Sequence, residues 1–342
     1  MNLDFEKRKK QFFMSKLYLS RFLNYPLVKP RSVTITVTLK CNLKCVMCDH
    51  WKEMSKSELN TDQWKNIIDQ IADWGIKEID ISGGEPMTRK DIFEIIDYLT
   101  EKNIKINIVT NFTLLQNNQI EALFGTTLNR LQVSLDGVGS VHDDMRGKPG
   151  TFERVMENIS YFNKVKKDRN SSIMLCGTTV ITNKNIHQLV DIYNLAKEIG
   201  LSYITYQPVY SSNKHVRSRK GNEHLMPSAN ETVLFENKIN KLIKIRKKDG
   251  FICNTLEHFE LIKEHFRNEP LDYLKCYTGF LYGIIGNDGS MWNCMGKYAD
   301  LTQETIKQAW YSNNAARKRK AMKKCKTLCF LNRVAMMGLK SY

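Results

Sequence analysis

Cys41-Asn42-Leu43-Lys44-Cys45-Val46-Met47-Cys48 places three thiols at C-x3-C-x2-C spacing. The stretch just before it alternates: Val33, Ile35, Val37 and Leu39 fall on one face and Thr34, Thr36 and Thr38 on the other, the period-two pattern of a strand. The cysteines therefore lie on a loop at a strand's end. Three thiolates on one short loop can hold three irons of a four-iron cluster and leave the fourth iron without a protein ligand, open to chemistry. His50 follows two residues on, so these four side chains alone also admit a tetrahedral zinc site.

Downstream the pattern becomes strand, loop, helix, repeated six times, with strands near 33–39, 77–82, 104–109, 129–135, 172–181 and 201–207. Trp64, Ile67, Ile68, Ile71 and Trp74 form one helical stripe, and Gly75 is placed to end it. Such alternation builds a parallel sheet through right-handed crossovers. The second strand runs into Gly83-Gly84-Glu85-Pro86. The fourth runs into Ser134-Leu135-Asp136-Gly137, with His142 and Arg146-Gly147 following. Alone, each of these is an ordinary strand-end turn.

In this order, the three motifs resemble those of the radical S-adenosylmethionine (SAM) superfamily, whose signature is C-x3-C-x-aromatic-C. Met47 stands where that signature has an aromatic residue, and it too is large and apolar. The resemblance implies a partial (β/α)6 TIM-like barrel with its site at the C-terminal ends of the strands. It implies a SAM-binding [4Fe-4S] cluster on Cys41, Cys45 and Cys48, cleavage of SAM to a 5'-deoxyadenosyl radical, and hydrogen abstraction from a substrate. SAM contacts are then expected from Met47, Gly83, Gly84, Glu85, Ser134, Arg146 and, at the end of the sixth strand, Gln207. Bare glycines let a backbone approach SAM, and a guanidinium fork suits its carboxylate. Asn111 stands where the family often has Asn-Gly; Phe112 follows it here, and no role is assigned to it.

Four more cysteines lie late in the chain. Cys276 and Cys294 bracket a hairpin expected to turn at Asn287-Asp288-Gly289, and Cys325 and Cys329 follow a basic helical stretch over about 303–323. By residue chemistry they admit a structural zinc, a saturated cluster or free thiols. The spacing resembles the short "twitch" form of the SPASM appendage, which implies a second, auxiliary [4Fe-4S] cluster. Sulfatase maturases of the family carry an Asp directly after the cysteine that follows this hairpin, and Met295 stands there instead. Cys176 and Cys253 read as small buried hydrophobes. Related epimerases use a thiol to return hydrogen to a carbon radical, which makes Cys253 a candidate donor.

The expected organisation is an amphipathic lead-in over 1–30, the barrel over 31–208, a polar loop and helical connection over 209–270, and the cysteine-rich appendage over 271–342. His215, Arg217 and Arg219 lie in that loop, and Ser228 with Glu231 forms a capping box after it. With 342 residues and 42 % hydrophobic content the chain can bury a core without disulfides. Nine cysteines, an odd number, and the want of a continuous apolar N-terminal run point to metal ligation in the cytoplasm. The net charge of +16 favours anionic partners, but no nucleic-acid-binding signature accompanies it. Residues 4–23 form a basic helix with Phe5, Phe12, Phe13, Leu17, Leu19, Phe22 and Leu23, suited to packing on its own domain, a partner or a membrane surface.

The reaction expected from this reading is oxidation or epimerisation of a sugar or aminocyclitol, with an electron donor such as flavodoxin or ferredoxin. Modification of a short peptide or protein is the alternative. A non-catalytic iron–sulfur or zinc-stabilised binding protein is the reading from another class.

Overall fold

The computed structural model describes residues 2–52, 57–210, 222–269 and 275–325. Six parallel strands appear where the alternation predicts them: β1 (Ser32–Thr38), β2 (Glu78–Gly83), β3 (Lys105–Thr110), β4 (Leu128–Ser134), β5 (Met174–Ile181) and β6 (Tyr203–Pro208). Before them runs α1 (Asn2–Leu23). Between them lie α2 (Thr61–Asp73), α3 (Ile92–Glu101), α4 (Asn117–Leu123), α5 (Ser140–Arg146), α6 (Thr151–Asp168) and α7 (Leu189–Glu198). The remainder is α8 (Thr232–Lys248), α9 (Leu256–Phe266), the one-turn α10 (Thr278–Leu281), the strands β7 (Tyr282–Ile285), β8 (Ser290–Asn293) and β9 (Gly296–Asp300), then α11 (Ile306–Tyr311) and α12 (Asn313–Met322).

Register explains why the two faces of the sheet differ. One rung aligns Ile35, Ile81, Ile108, Leu131 and Leu175, all fully buried against the helices. The neighbouring rung aligns Thr34, Asp80, Asn107 and Arg130 and faces the barrel interior. Side chains alternate across a strand, so the threonine half of the β1 pattern lines the lumen while the valine and isoleucine half builds the core. Thr34, Thr36, Ser82, Gln132, Ser134 and Thr178 on the inner face are only half-buried. The lumen is polar and accessible.

The sheet has nine strands in the order β6-β5-β4-β3-β2-β1-β7-β8-β9. The C-terminal hairpin thus extends the barrel sheet: β7 runs parallel to β1, pairing Ile285 with Ile35, and β8 and β9 follow antiparallel. Its turn forms at the expected residues, with the Gly286 amide donating to the Ser290 carbonyl and Gly289 in the left-handed region. At the other edge, Asn254 gives β6 a side-chain substitute for a strand partner, accepting from the Tyr206 amide and donating to its carbonyl at 2.8 Å each.

Local signals hold where the sequence places them. Asn60 and Gln63 make a reciprocal capping box for α2, and Ser228 and Glu231 make another ahead of α8. The stripe of α2 buries Trp64, Ile67, Ile68 and Ile71, while Trp74, just past its end, meets Trp310 and Tyr311 of α11 edge-on at 6.2 and 6.1 Å. The single basic helix expected over 303–323 is instead two. Ser312 turns extended (φ −65°, ψ 155°), and its hydroxyl accepts from the Ala315 amide to cap α12.

Candidate active site

At the C-terminal ends of the strands, Cys41, Cys45 and Cys48 line one cleft with Gly83, Gly84, Glu85, Ser134 and Arg146. The cysteine loop is joined to the turn after β2 through backbone: the Gly84 amide donates to the Thr38 carbonyl at 2.9 Å and the Glu85 amide to that of Lys40 at 2.8 Å. A Cβ on Gly84 would stand 2.2 Å from the Lys40 carbonyl oxygen, and one on Gly83 at 2.2 Å from that of Thr38. These glycines are therefore required by loop-to-loop contact, whatever else approaches them. Glu85 is buried and crosses to the third strand. Its carboxylate accepts from the Thr110 hydroxyl, the Asn111 amide (2.7 Å each) and the Met87 amide (3.2 Å). Burial raises its pKa, and those donors together with Arg146 work against the rise.

Arg146 ends α5 and lies almost wholly buried. One guanidinium nitrogen pairs with Asp136 and another lies 3.6 Å from Cys45 Sγ. Burial opposes its charge, but Asp136 and the thiols outweigh that and keep its pKa high. Asp136 also accepts from the Val180 amide at 2.7 Å. Gly147 caps α5 in the left-handed conformation, where a Cβ would stand 2.4 Å from the Lys44 carbonyl, so α5 presses directly on the cysteine loop.

His142 is buried beneath this pair, its Nδ1 accepting from the Asp136 amide at 3.2 Å. Burial, then the Arg146 charge, pushes its pKa down to about 3. A histidine held neutral in the fold but protonated in the unfolded chain contributes stability that is complete above pH ~6.5 and is lost as pH falls toward its folded value. Between pH 7 and 5 the loss from His142 reaches about 2 kcal/mol. Thermal unfolding of wild type and His142→Asn at both pH values is expected to show the smaller acid loss in the variant.

Residues 35–196 match the family model described as the radical SAM superfamily. The stretch from β1 into α7 matches a radical SAM domain. An AdoMet-dependent heme synthase of Methanosarcina barkeri is 36 % identical over 174 residues, covering 50 % of this chain and 48 % of that protein. A PqqA peptide cyclase of Bradyrhizobium diazoefficiens is 28 % identical over 173 residues, covering 50 % and 44 %. The matches span about half the length of these curated relatives. Among solved structures, Streptococcus suis SuiB bound to S-adenosylmethionine superposes with a TM-score of 0.67 at 18 % identity, covering 95 % of this chain and 78 % of that one. At that identity the likeness is one of fold.

Radical SAM domains use a [4Fe-4S] cluster and SAM, and the residues of this cleft fit them. Three thiols share the cleft with a guanidinium whose Nε is buried without a hydrogen-bond partner among the described residues. Among those residues no three His, Cys, Asp or Glu side chains converge on a single-ion site. His50 lines the same cleft with Nδ1 3.2 Å from the Gly83 carbonyl. Burial pushes the Cys41 thiol up to about 11, so iron binding has to displace its proton.

Three other expected site residues lie elsewhere. Met47 packs into a small apolar cluster with Leu43, Cys45, Met145, Val209 and Leu225 and does not itself line the cleft. Gln207 is half-buried on the next-to-last rung of β6, paired with Val180, and does not line the cleft. Cys253 lies at the N-terminal end of β6, its amide donating to the Ile204 carbonyl at 2.8 Å, so the structure does not bring this candidate hydrogen donor to the cleft. His215, Arg217 and Arg219 fall outside the described residues, as does Cys329.

Asn111 was the residue that sequence reasoning passed over. Its Nδ2 donates to Asn42 Oδ1 at 2.8 Å and its Oδ1 accepts from the Thr113 hydroxyl at 2.7 Å, which ties the third strand's loop to the cysteine loop. Phe112 beside it adopts φ +61°, a conformation glycine favours. Its ring is fully buried against Phe162, which offsets the strain and explains how Phe replaces the usual glycine.

In the C-terminal segment Cys276, Cys294 and Met322 form one buried cluster, and the Cys325 charge adds to the burial that raises the Cys276 pKa. The segment is gripped from α1. Arg21 donates to the carbonyls of Cys276 (3.2 Å) and Lys323 (3.3 Å), and Asn24 donates to that of Ala316 at 2.8 Å. The two cysteine regions also communicate through Glu58, which accepts from Thr38, at the entrance to the first loop, and from Asn287 of the hairpin turn. Arg21→Met leaves two carbonyls without their donor and is expected to cost about 1–3 kcal/mol in thermal stability.

Proposed function

We propose that this chain is a radical SAM enzyme that modifies a peptide. Cys41, Cys45 and Cys48 would hold the cluster, and Gly83, Gly84, Ser134 and Arg146 would border SAM. With both groups bound, the site supplies one electron to SAM and a 5'-deoxyadenosyl radical that takes a hydrogen atom from the substrate. The chain's own work is positional. Glu85 joins three strand ends, Asp136 holds Arg146 charged at the cleft wall, and the protein-to-protein contacts of both keep the cleft's shape independent of its occupants. A second cluster on Cys276, Cys294, Cys325 and Cys329 would serve structure or electron transfer.

The single observation that carries the substrate reading is the polar, half-open lumen of Thr34, Thr36, Ser82, Gln132, Ser134 and Thr178 directly below the cleft. Hydroxyl and amide side chains suit a hydrogen-bonding substrate better than a porphyrin, which separates this chain from the heme synthase among its relatives. Likeness to a peptide cyclase supports a peptide over a sugar. The charge of +16 would favour an acidic peptide and an acidic donor such as flavodoxin or ferredoxin. The test is 5'-deoxyadenosine formed by reconstituted protein with SAM, reductant and cell extract split by ultrafiltration. Stimulation by the retained, protease-sensitive fraction is expected. Stimulation by the small-molecule filtrate alone would return the substrate to the sugar or aminocyclitol class, and no deoxyadenosine with the cluster intact would remove the enzymatic reading.

A further inference from the structure

Helix α1 is apolar beyond the face that it packs on the protein. Phe13, Leu17 and Ser20 face the protein, where Phe13 and Leu17 pack with Tyr277, Phe280 and Leu281. Phe12, Leu19 and Leu23, at i, i+7 and i+11, line a flank roughly 100° round the helix from that face at 63, 46 and 51 % exposure, and Phe22, opposite the packed face, stands at 82 %. Tyr18 and Tyr25 are half-exposed with their rings 5.7 and 5.6 Å from those of Tyr277 and Tyr311, and with Leu27 they bring to seven of the twelve exposed large hydrophobics of the described chain those that fall within sixteen residues. Single exposed hydrophobics are ordinary, but a contiguous stripe on one helix marks a surface that is covered in use.

The charges around the stripe say by what. Helix α1 carries six Lys or Arg against Asp4 and Glu6. Exposed Arg8 and Lys9 lie along it, and Lys16 Nζ stands 4.4 Å above the Phe12 ring. The patch is the convex side of a helix, not a groove, and no described helix is long and apolar enough to cross a bilayer. Aromatic and leucine side chains on an outward helix face, flanked by cations, match a helix lying in the interface of an anionic membrane.

We propose that the outer face of α1 binds an anionic phospholipid surface, with Phe12, Leu19, Phe22 and Leu23 entering the headgroup region and the flanking cations meeting lipid phosphates. Because the inner face of α1 holds the segment with Cys276, the contact would place the late cysteines near the membrane. The inference stands apart from the peptide reading, and its test needs no substrate.

Cluster-loaded protein is sedimented with phosphatidylcholine vesicles that contain or lack 30 % phosphatidylglycerol, at about 0.1 and 0.5 M salt. Binding to the anionic vesicles, weakened by salt, and at least ~10-fold weaker on phosphatidylcholine or for Phe12→Ser/Phe22→Ser is expected. Both side chains are exposed, and unchanged iron content and circular dichroism of the variant would show that its fold is intact. Absence of binding to anionic vesicles, or equal binding by the variant, overturns the proposal. So does a concentration-dependent dimer abolished by the variant without vesicle binding, which would assign the face to a second copy.

Discussion

Gly84→Ala is expected to empty the first cysteine site of iron. The added Cβ would stand 2.2 Å from the Lys40 carbonyl oxygen, 2.5 Å from that of Leu39 and 2.7 Å from the Lys40 carbonyl carbon. Real Cβ atoms do not approach so closely, and none of the three is a side-chain end that could swing aside. Gly84 does not have a positive φ, so the expected effect is one of contact. Overpacking ordinarily costs about 1–3 kcal/mol, and a clash with rigid backbone on both sides falls at or beyond the top of that range. The chain escapes most cheaply by letting residues 39–41 move away, which breaks the Thr38 to Gly84 and Lys40 to Glu85 hydrogen bonds and displaces Cys41. Iron and sulfide analysis after anaerobic reconstitution is the measurement, with Gly250→Ala, where the Cβ meets open space, as control. Iron at the wild-type level in Gly84→Ala would show that the two loops can separate without losing the site.

The same contact shows which features were legible beforehand. The six parallel strands and the cysteine loop follow from alternation within a few residues, and so do the turn at Gly286–Gly289 and the Ser228 cap. Each is a local pattern with a local cause. What escaped depends on partners distant in sequence. Nothing near Ile285 says that it lies beside Ile35, so the C-terminal hairpin's place on the barrel sheet could not be read. The motif at Gly83–Pro86 reads as a SAM contact, but its glycines and carboxylate are first of all joints between strand ends. Cys253 is a candidate donor because it is a thiol, and only topology shows that its end of β6 faces away from the cleft. Asn111 was obscured by Phe112, whose left-handed backbone no propensity would suggest. Helix α1 reads as amphipathic, yet the structure leaves Phe12, Leu19, Phe22 and Leu23 exposed beside the face that packs on Tyr277, Phe280 and Leu281.

The largest effect on stability is expected at Arg146 and Asp136, and a double variant separates their structural role from their chemical one. Asp136→Asn leaves the buried guanidinium without its carboxylate partner, a loss of about 3–5 kcal/mol by the usual cost of breaking a buried ion pair. Arg146→Met leaves the Asp136 carboxylate buried instead. Without its cation, burial raises that carboxyl's pKa, the folded protein takes up a proton that the unfolded chain does not hold at neutral pH, and stability rises as pH falls. The destabilisation by Arg146→Met should therefore shrink in mild acid, while that by Asp136→Asn should not. Asp136→Asn/Arg146→Met removes both charges, and the carboxamide that replaces the Asp136 carboxylate keeps an acceptor for the Val180 amide. Its loss should be several kcal/mol less than the sum of the single losses, because neither partner is left alone. Thermal unfolding of the four proteins measures that coupling. Deoxyadenosine formation then decides the rest: if Arg146 also meets bound SAM, the double variant regains its fold and its iron but stays at least ~100-fold slower, a loss in the range of removing one preorganised charged donor. Recovery of activity along with the fold would make the guanidinium a strut between α5, the fourth strand's loop and the cysteine loop, and nothing more.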